Sequence, residues 1–208
     1  MPQSFNTFGG WGAGDLLGPV LNGSGAAIAG SWAGARSGLD AAIWLPEGGR
    51  WVRQPSAGTA LESTPGLLVG PRSATGDGTG IVLPGSVVHL TGGVVRQSAA
   101  VWRSARANSG WARVDLPGSG AAGEAVSARC SGQECVLAGY VDHVVALWHL
   151  SRSAANRFAD VPQVAATSRS PMPAPLVVGG EIIDVVSAGA RVVVLAGGDR
   201  PWTLPGGH

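Results

Sequence analysis

The chain has 208 residues, of which 45% are hydrophobic and 13% charged, with a formal net charge of +1. That balance excludes a disordered polyelectrolyte, which needs few apolar residues and a high net charge, and the length suits one all-β domain. The 34 Gly and 14 Pro are spread along the whole chain; they exclude a helical protein, since each interior Gly costs about 1 kcal/mol and each Pro about 3 kcal/mol.

All fourteen cations are Arg, and their scatter leaves no basic stripe to follow a phosphate backbone, so nucleic acid is not expected as a partner. No apolar run approaches the roughly 20 residues of a membrane-spanning helix. Met1–Gly14 is polar and Gly-rich and does not read as a signal peptide. A secreted chain would have had its signal removed; a cytoplasmic chain is the alternative.

Taken in order, the first segment, Ser4–Phe8, resembles a lone outer strand. Two signals then recur in a fixed sequence. One is an apolar run ending in a small residue and Gly: Ile28–Gly30, Leu90–Gly92, Leu137–Gly139 and Leu195–Gly197. The other is a short apolar run closing on Trp: Trp44, Trp102, Trp148 and, more weakly, Trp202. The Trp residues are 58, 46 and 54 positions apart, a period of the order of a four-stranded propeller blade. After each of the first three Trp residues an aromatic opens another short alternating strand, at Trp51, Trp111 and Phe158, and Pro ends it. A further apolar segment precedes each Gly signal: Leu16–Leu21, Gly80–Leu83, Ala125–Ala128 and Ile182–Ser187.

Each repeat therefore supplies four strands, at about 15–55, 79–117, 124–162 and 176–208. The expected fold is a small β-propeller of about four four-stranded blades. The last repeat lacks its outer strand, and the N-terminal strand 4–8 is expected to complete it beside Trp202, closing the ring and removing exposed edges; a piece of a larger ring is the alternative. Leu61–Asp77 is a long insertion whose Leu67–Val69 forms either an additional strand or a loop. Thr75–Gly80 reads as a turn, and Pro171–Pro175 as a stiff connector.

Cys130 and Cys135 have no second ligand pair, which makes zinc a poor reading. Between two strand-like runs they read as a disulfide across a β-turn, with two free thiols as the alternative. A disulfide would imply an oxidising compartment.

The stretch Ala100–Trp111 resembles the Asp-box, or BNR-type, repeat of bacterial propellers, in which a Ser-x-Asp-x-Gly-x-x-Trp turn joins the last two strands of a blade. It departs from that pattern because Asn108 and Gly110 lie too close to Trp111, and Glu47–Gly49 stands in for Asp-x-Gly in the first repeat. Ala125–Gly139 looks like the Cys-bearing hairpin of secreted actinobacterial propellers. The resemblance implies a propeller in which the loops between second and third strands share one face with the loops that enter each blade. Such repeats carry many functions, so none follows from the fold.

On that face the sequence collects Asp40, Gln97 beside Arg96, Asp142 with His143, and Asp199 with Arg200, together with Trp11 and Asp15. Carboxylates around an aromatic platform suit a sugar, whose hydroxyls they bind while the indole stacks on the ring. Each Asp is also a common turn residue, and the repeated Trp residues read as core. Trp11, flanked by glycines, is the best stacking candidate. The leading expectation is a non-catalytic binding module on a secreted or cell-surface propeller, with a glycan as ligand. A protein-binding or structural propeller is the alternative, and a glycosidase using Asp40, Asp142 and Asp199 is a third reading. No metal or cofactor motif occurs.

Overall fold

A computed structural model describes residues 4–118, 122–151, 155–157, 182–188 and 191–196. The fold is all-β. The first sheet is an antiparallel meander of β1 (Ala13–Asn22), β2 (Gly25–Ala33), β3 (Leu39–Glu47) and β4 (Arg50–Arg53). In the second, β5 (Leu67–Pro71) and β6 (Thr75–Gly76) both pair with β7 (Ile81–Thr91), which is followed by β8 (Val94–Arg106) and β9 (Ser109–Asp115). The third comprises β10 (Gly123–Ser131), β11 (Glu134–Val141), β12 (Val144–Leu150) and β13 (Ala155–Arg157). β14 (Ile182–Ala188) and β15 (Arg191–Ala196) form a further hairpin.

The sheets stack face to face in chain order, with β14 against β10 and β11. One core lies between the first two sheets and joins Ala29 and Ile43 to Ile81, Leu83 and Trp102. A second lies between the second and third and joins Val82 and Val101 to Leu137, Ala146 and Trp148. Neighbouring residues of β7 and β8 thus point into opposite cores. A sheet buried on both faces needs near-continuous apolar strands rather than alternation, which explains the unbroken apolar runs that end on each Trp.

One register recurs in all three sheets. Trp44 pairs with Ile28, Trp102 with Leu83 and Trp148 with Leu137. Two residues further along, Gly30, Gly85 and Gly139 face Ala42, Ala100 and Ala146. A Cβ on any of these glycines would run into a first-strand carbonyl, that of Asp15, Gly70 or Glu124 respectively. The first strand is bulged beside this point in the first and third sheets, at Leu16/Gly18 and Ala125/Ser127, and a bulge bends the strand towards its neighbour. In the second sheet the irregularity has grown into the gap between β5 and β6. The repeat glycine is therefore required by close backbone approach.

Three expectations are corrected by this register. In the second repeat the Gly signal is Leu83–Gly85; Leu90–Gly92 forms the tip of the β7–β8 hairpin, where Gly92 and Gly93 have φ of 61° and 76°, as a type I′ turn needs. The first strand of that sheet is β5, so the unit begins at Leu67 rather than near residue 79, and Leu67–Val69 is an integral strand. The N-terminal segment is not a strand: Phe5–Thr7 is a 3-10 turn. It covers the first sheet's Trp44, whose indole Nε1 donates to the Thr7 carbonyl at 2.8 Å, with the Phe8 ring 5.5 Å from the indole. Trp148 Nε1 donates likewise to the Pro117 carbonyl, just after β9, at 2.8 Å. Thr7 thus stands where the outgoing end of a preceding sheet stands elsewhere. Trp202, Pro171–Pro175 and the strand expected at Phe158–Pro162 lie outside the described residues.

Candidate functional site

The end at which each sheet's first strand begins, called here the entry end, is held together by backbone groups of successive segments. Ala33 N–H donates to the Gly12 carbonyl at 2.7 Å, and Leu90 N–H to the Gly66 carbonyl at 2.9 Å. Ser63 Oγ–H donates to the Leu39 carbonyl at 2.6 Å and accepts from Val69 N–H at 2.9 Å. Trp11, Asp15, Asp40, Gln97, Asp142 and His143 all belong to this end by strand register. Asp199 and Arg200 lie outside the described residues.

Their surroundings separate them. Asp40 is buried, 6% exposed, and its Oδ1 accepts from Ser63 N–H at 2.7 Å. Burial raises its pKa above the ordinary carboxylate value; the Ser63 N–H and the charge of Arg53 oppose that, and the charge of Glu62 adds to it. Asp142 and His143 form the β11–β12 turn with φ of 49° and 66°. The Asp142 carboxylate accepts from Ala122 N–H at 2.9 Å, closing the entrance to β10. Gln97 Nε2 donates to Ser86 Oγ at 3.0 Å. These three side chains are thus engaged in building the end of the sheets. Trp11 is fully exposed, Asp15 and His143 are also exposed, and Asp15 N–H donates to Ser31 Oγ at 2.9 Å.

A group not singled out by the sequence sits between the second and third sheets. Glu124 is 7% exposed. Its carboxylate accepts from Ser86 Oγ–H at 3.2 Å and from the Tyr140 hydroxyl at 2.8 Å, with Arg72 Nε 3.4 Å away. Both carboxylate oxygens find a donor, as a buried carboxylate requires. Its signal was available: Glu124 directly precedes the residue that faces the repeat glycine, as Asp15 does in the first sheet. At the opposite end, Asp77 is buried and accepts from Gly80 N–H at 2.6 Å, Thr79 N–H at 3.0 Å and Arg103 Nε at 2.6 Å. Arg103 also donates to the carbonyls of Gln133 and Ser151, so this ion pair ties the second sheet to the third.

The entry end also carries most of the exposed large hydrophobic side chains among the described residues. Of eight exposed large hydrophobic side chains among the described residues, Trp11, Leu16, Leu39, Leu90, Val94 and Val95 lie at or near it. Leu90, Val94 and Val95 form the tip of a hairpin that extends past both flanking strands. Cys130 and Cys135 are bonded across the β10–β11 hairpin, with their Cα atoms 4.0 Å apart, at the opposite end. Among the described residues no helix is long and apolar enough to cross a membrane, and no group of three or more His, Cys, Asp or Glu is placed to hold a metal. No protein-family model, curated protein or solved structure matches the chain.

Proposed function

We propose that this chain is a non-catalytic binding module that takes a protein partner at its entry end. The observation that carries the reading is the concentration there of exposed apolar side chains on turns and a hairpin tip. Scattered single hydrophobics are ordinary on a protein surface, whereas a grouped set marks an interaction site. The engagement of Asp40, Asp142 and Gln97 in local hydrogen bonds supports a scaffold role for them and weighs against their use as acid and base. The finer architecture we propose is a closed ring of about four blades of degenerate Asp-box type. Its support is the recurring register, the face-to-face stacking, and Thr7 in the place of an outgoing strand end. The Cys130–Cys135 bond favours a secreted or cell-surface location, since disulfides persist in oxidising compartments.

Photo-crosslinking separates the partner classes. A photoreactive residue at Leu39, at the entry end, is expected to yield polypeptide adducts in extracts of the source cells or their medium. The same residue at Leu21, at the opposite end, is expected to yield none. Equal adducts at both positions, or none at either, would overturn the reading. A glycan at Trp11 is the second reading, favoured by a fully exposed indole on the segment that leads into β1. It requires glycan-array binding that Trp11→Ala abolishes.

A further inference from the structure

In the first two sheets β3 is longer than β4 and β8 longer than β9, which leaves part of the outer edge of β3 and of β8 beyond the last strand. In the first sheet the chain covers it itself. After β4 the segment 54–63 runs back along β3, and Gln54 N–H donates to the Ile43 carbonyl at 2.8 Å while Ala41 N–H donates to the Leu61 carbonyl at 3.0 Å. Ser56 Oγ–H adds a bond to the Ala41 carbonyl at 2.7 Å. In the second sheet β9 ends opposite Ala100, and Leu116 N–H reaches the Ala99 carbonyl at 3.0 Å. Beyond Ala99 the outer edge of β8, Val94–Ser98, has no backbone partner among the described residues. Backbone groups alternate along a strand, so the N–H and C=O of Val95 and Gln97 point the same way as those of Ala99, outward. The opposite edge of the hairpin is taken by β5, which pairs as far as Leu67 with His89.

We infer that an extended segment of a partner protein adds to this edge as a further strand, hydrogen-bonding Val95 and Gln97. Unpaired strand edges are templates for such addition, in which backbone bonds supply affinity and alternate side chains supply specificity. The first sheet shows that polypeptide backbone can take such an edge, there through Gln54 and Leu61 with a turn at 57–61 between them. Side chains on β8 define the rest: Val95 and its cross-strand partner Leu90 offer an apolar contact on one face, and exposed Arg96 offers a cation on the other. An apolar residue beside an Asp or Glu therefore matches. A second copy of this chain matches poorly, because antiparallel pairing through Val95 and Gln97 sets Arg96 opposite Arg96, and like charges directly opposite destabilise a strand pair.

This inference rests on the protein-binding reading and specifies its mode. The test uses the intact chain and two blocked eight-residue peptides that alternate Val and Thr, one with a central Glu and the other with Lys there. The Glu peptide is expected to bind at least tenfold more tightly and to slow amide exchange at Val95 and Gln97. Val95→Pro removes an outward N–H and no bond to β7, and is expected to weaken binding at least tenfold with the unfolding midpoint unchanged. Arg96→Glu leaves the backbone edge intact and is expected to invert the preference between the peptides. Binding that survives Val95→Pro, exchange protection at another strand, no binding at millimolar peptide, or self-association burying these amides would each overturn it. Polypeptide crosslinks at Leu39 that persist in Val95→Pro would leave the broader reading standing.

Discussion

At the scale of single residues, the carboxylates divide by what their burial is matched with. Asp77 is buried among two backbone N–H groups and Arg103. Burial pushes its pKa up, but the Gly80 and Thr79 amides and the guanidinium outweigh that and hold it below the ordinary value. A depressed folded pKa contributes stability above the unfolded value, and that stability is lost as pH falls through the folded one. Wild-type protein should therefore lose stability below about pH 4 more steeply than Asp77→Asn, as followed by denaturant unfolding across pH 2–7. At neutral pH Asp77→Ala leaves Arg103 without its carboxylate, with only the Gln133 and Ser151 carbonyls to receive it, and should cost about 3 kcal/mol. Asp40 is the opposite case: a raised pKa means that ionising it disfavours the fold as pH rises through the folded value. Asp40→Asn keeps an acceptor for Ser63 N–H and should change stability by less than about 1 kcal/mol, whereas Asp40→Ala orphans that amide and should cost about 1–3 kcal/mol. Thermal unfolding of the two variants checks the pair.

At the scale of the strand and hairpin, the repeat glycine and its Trp form the working unit. Gly139→Ala forces a methyl against the Glu124 carbonyl and should destabilise by about 1–3 kcal/mol, while Gly132→Ala, at a turn with open space around it but a φ of 59°, should cost no more than about 1–2 kcal/mol. Comparison of the two unfolding midpoints tests whether backbone approach or turn geometry dominates. The Cys130–Cys135 bond closes a loop only five positions long, so its removal should cost about 2 kcal/mol, at the low end for disulfides. The strands and the disulfide hairpin were legible from apolar runs and Gly-bounded turns. The second sheet was misread because Leu90–Gly92 has the same composition as a repeat signal yet serves a type I′ turn. Composition alone does not distinguish a Gly that accommodates a neighbouring carbonyl from a Gly that supplies a positive φ; the strand pairing does.

At the scale of the whole molecule, the first sheet presents its Trp44 face to the N-terminal segment, with Trp32 edge-on to that indole at 6.0 Å and Arg53 5.0 Å from the Trp32 ring. On the same face Leu16 is about half exposed. A closed ring would place the last repeat there. Ending the chain at Ala196 should then lower the unfolding temperature and raise binding of a hydrophobic dye, and an unchanged midpoint would count against closure. Much of this architecture follows from local rules: an all-β chain, three Trp-marked sheets among the described residues, a disulfide hairpin, and the indoles of Trp44, Trp102 and Trp148 committed to the core. Such features depend on residue periodicity and turn chemistry, which are properties of neighbouring residues. Which carboxylates are engaged was decided in three dimensions, because Asp40 meets Ser63 and Glu124 meets Ser86 and Arg72 across 23 to 52 positions of chain. The 3-10 turn at Phe5–Thr7 and the edge of β8 that has no backbone partner among the described residues were decided there as well. The first packs on Trp44, 37 positions away, and the second depends on where β9 stops, and no local pattern records either.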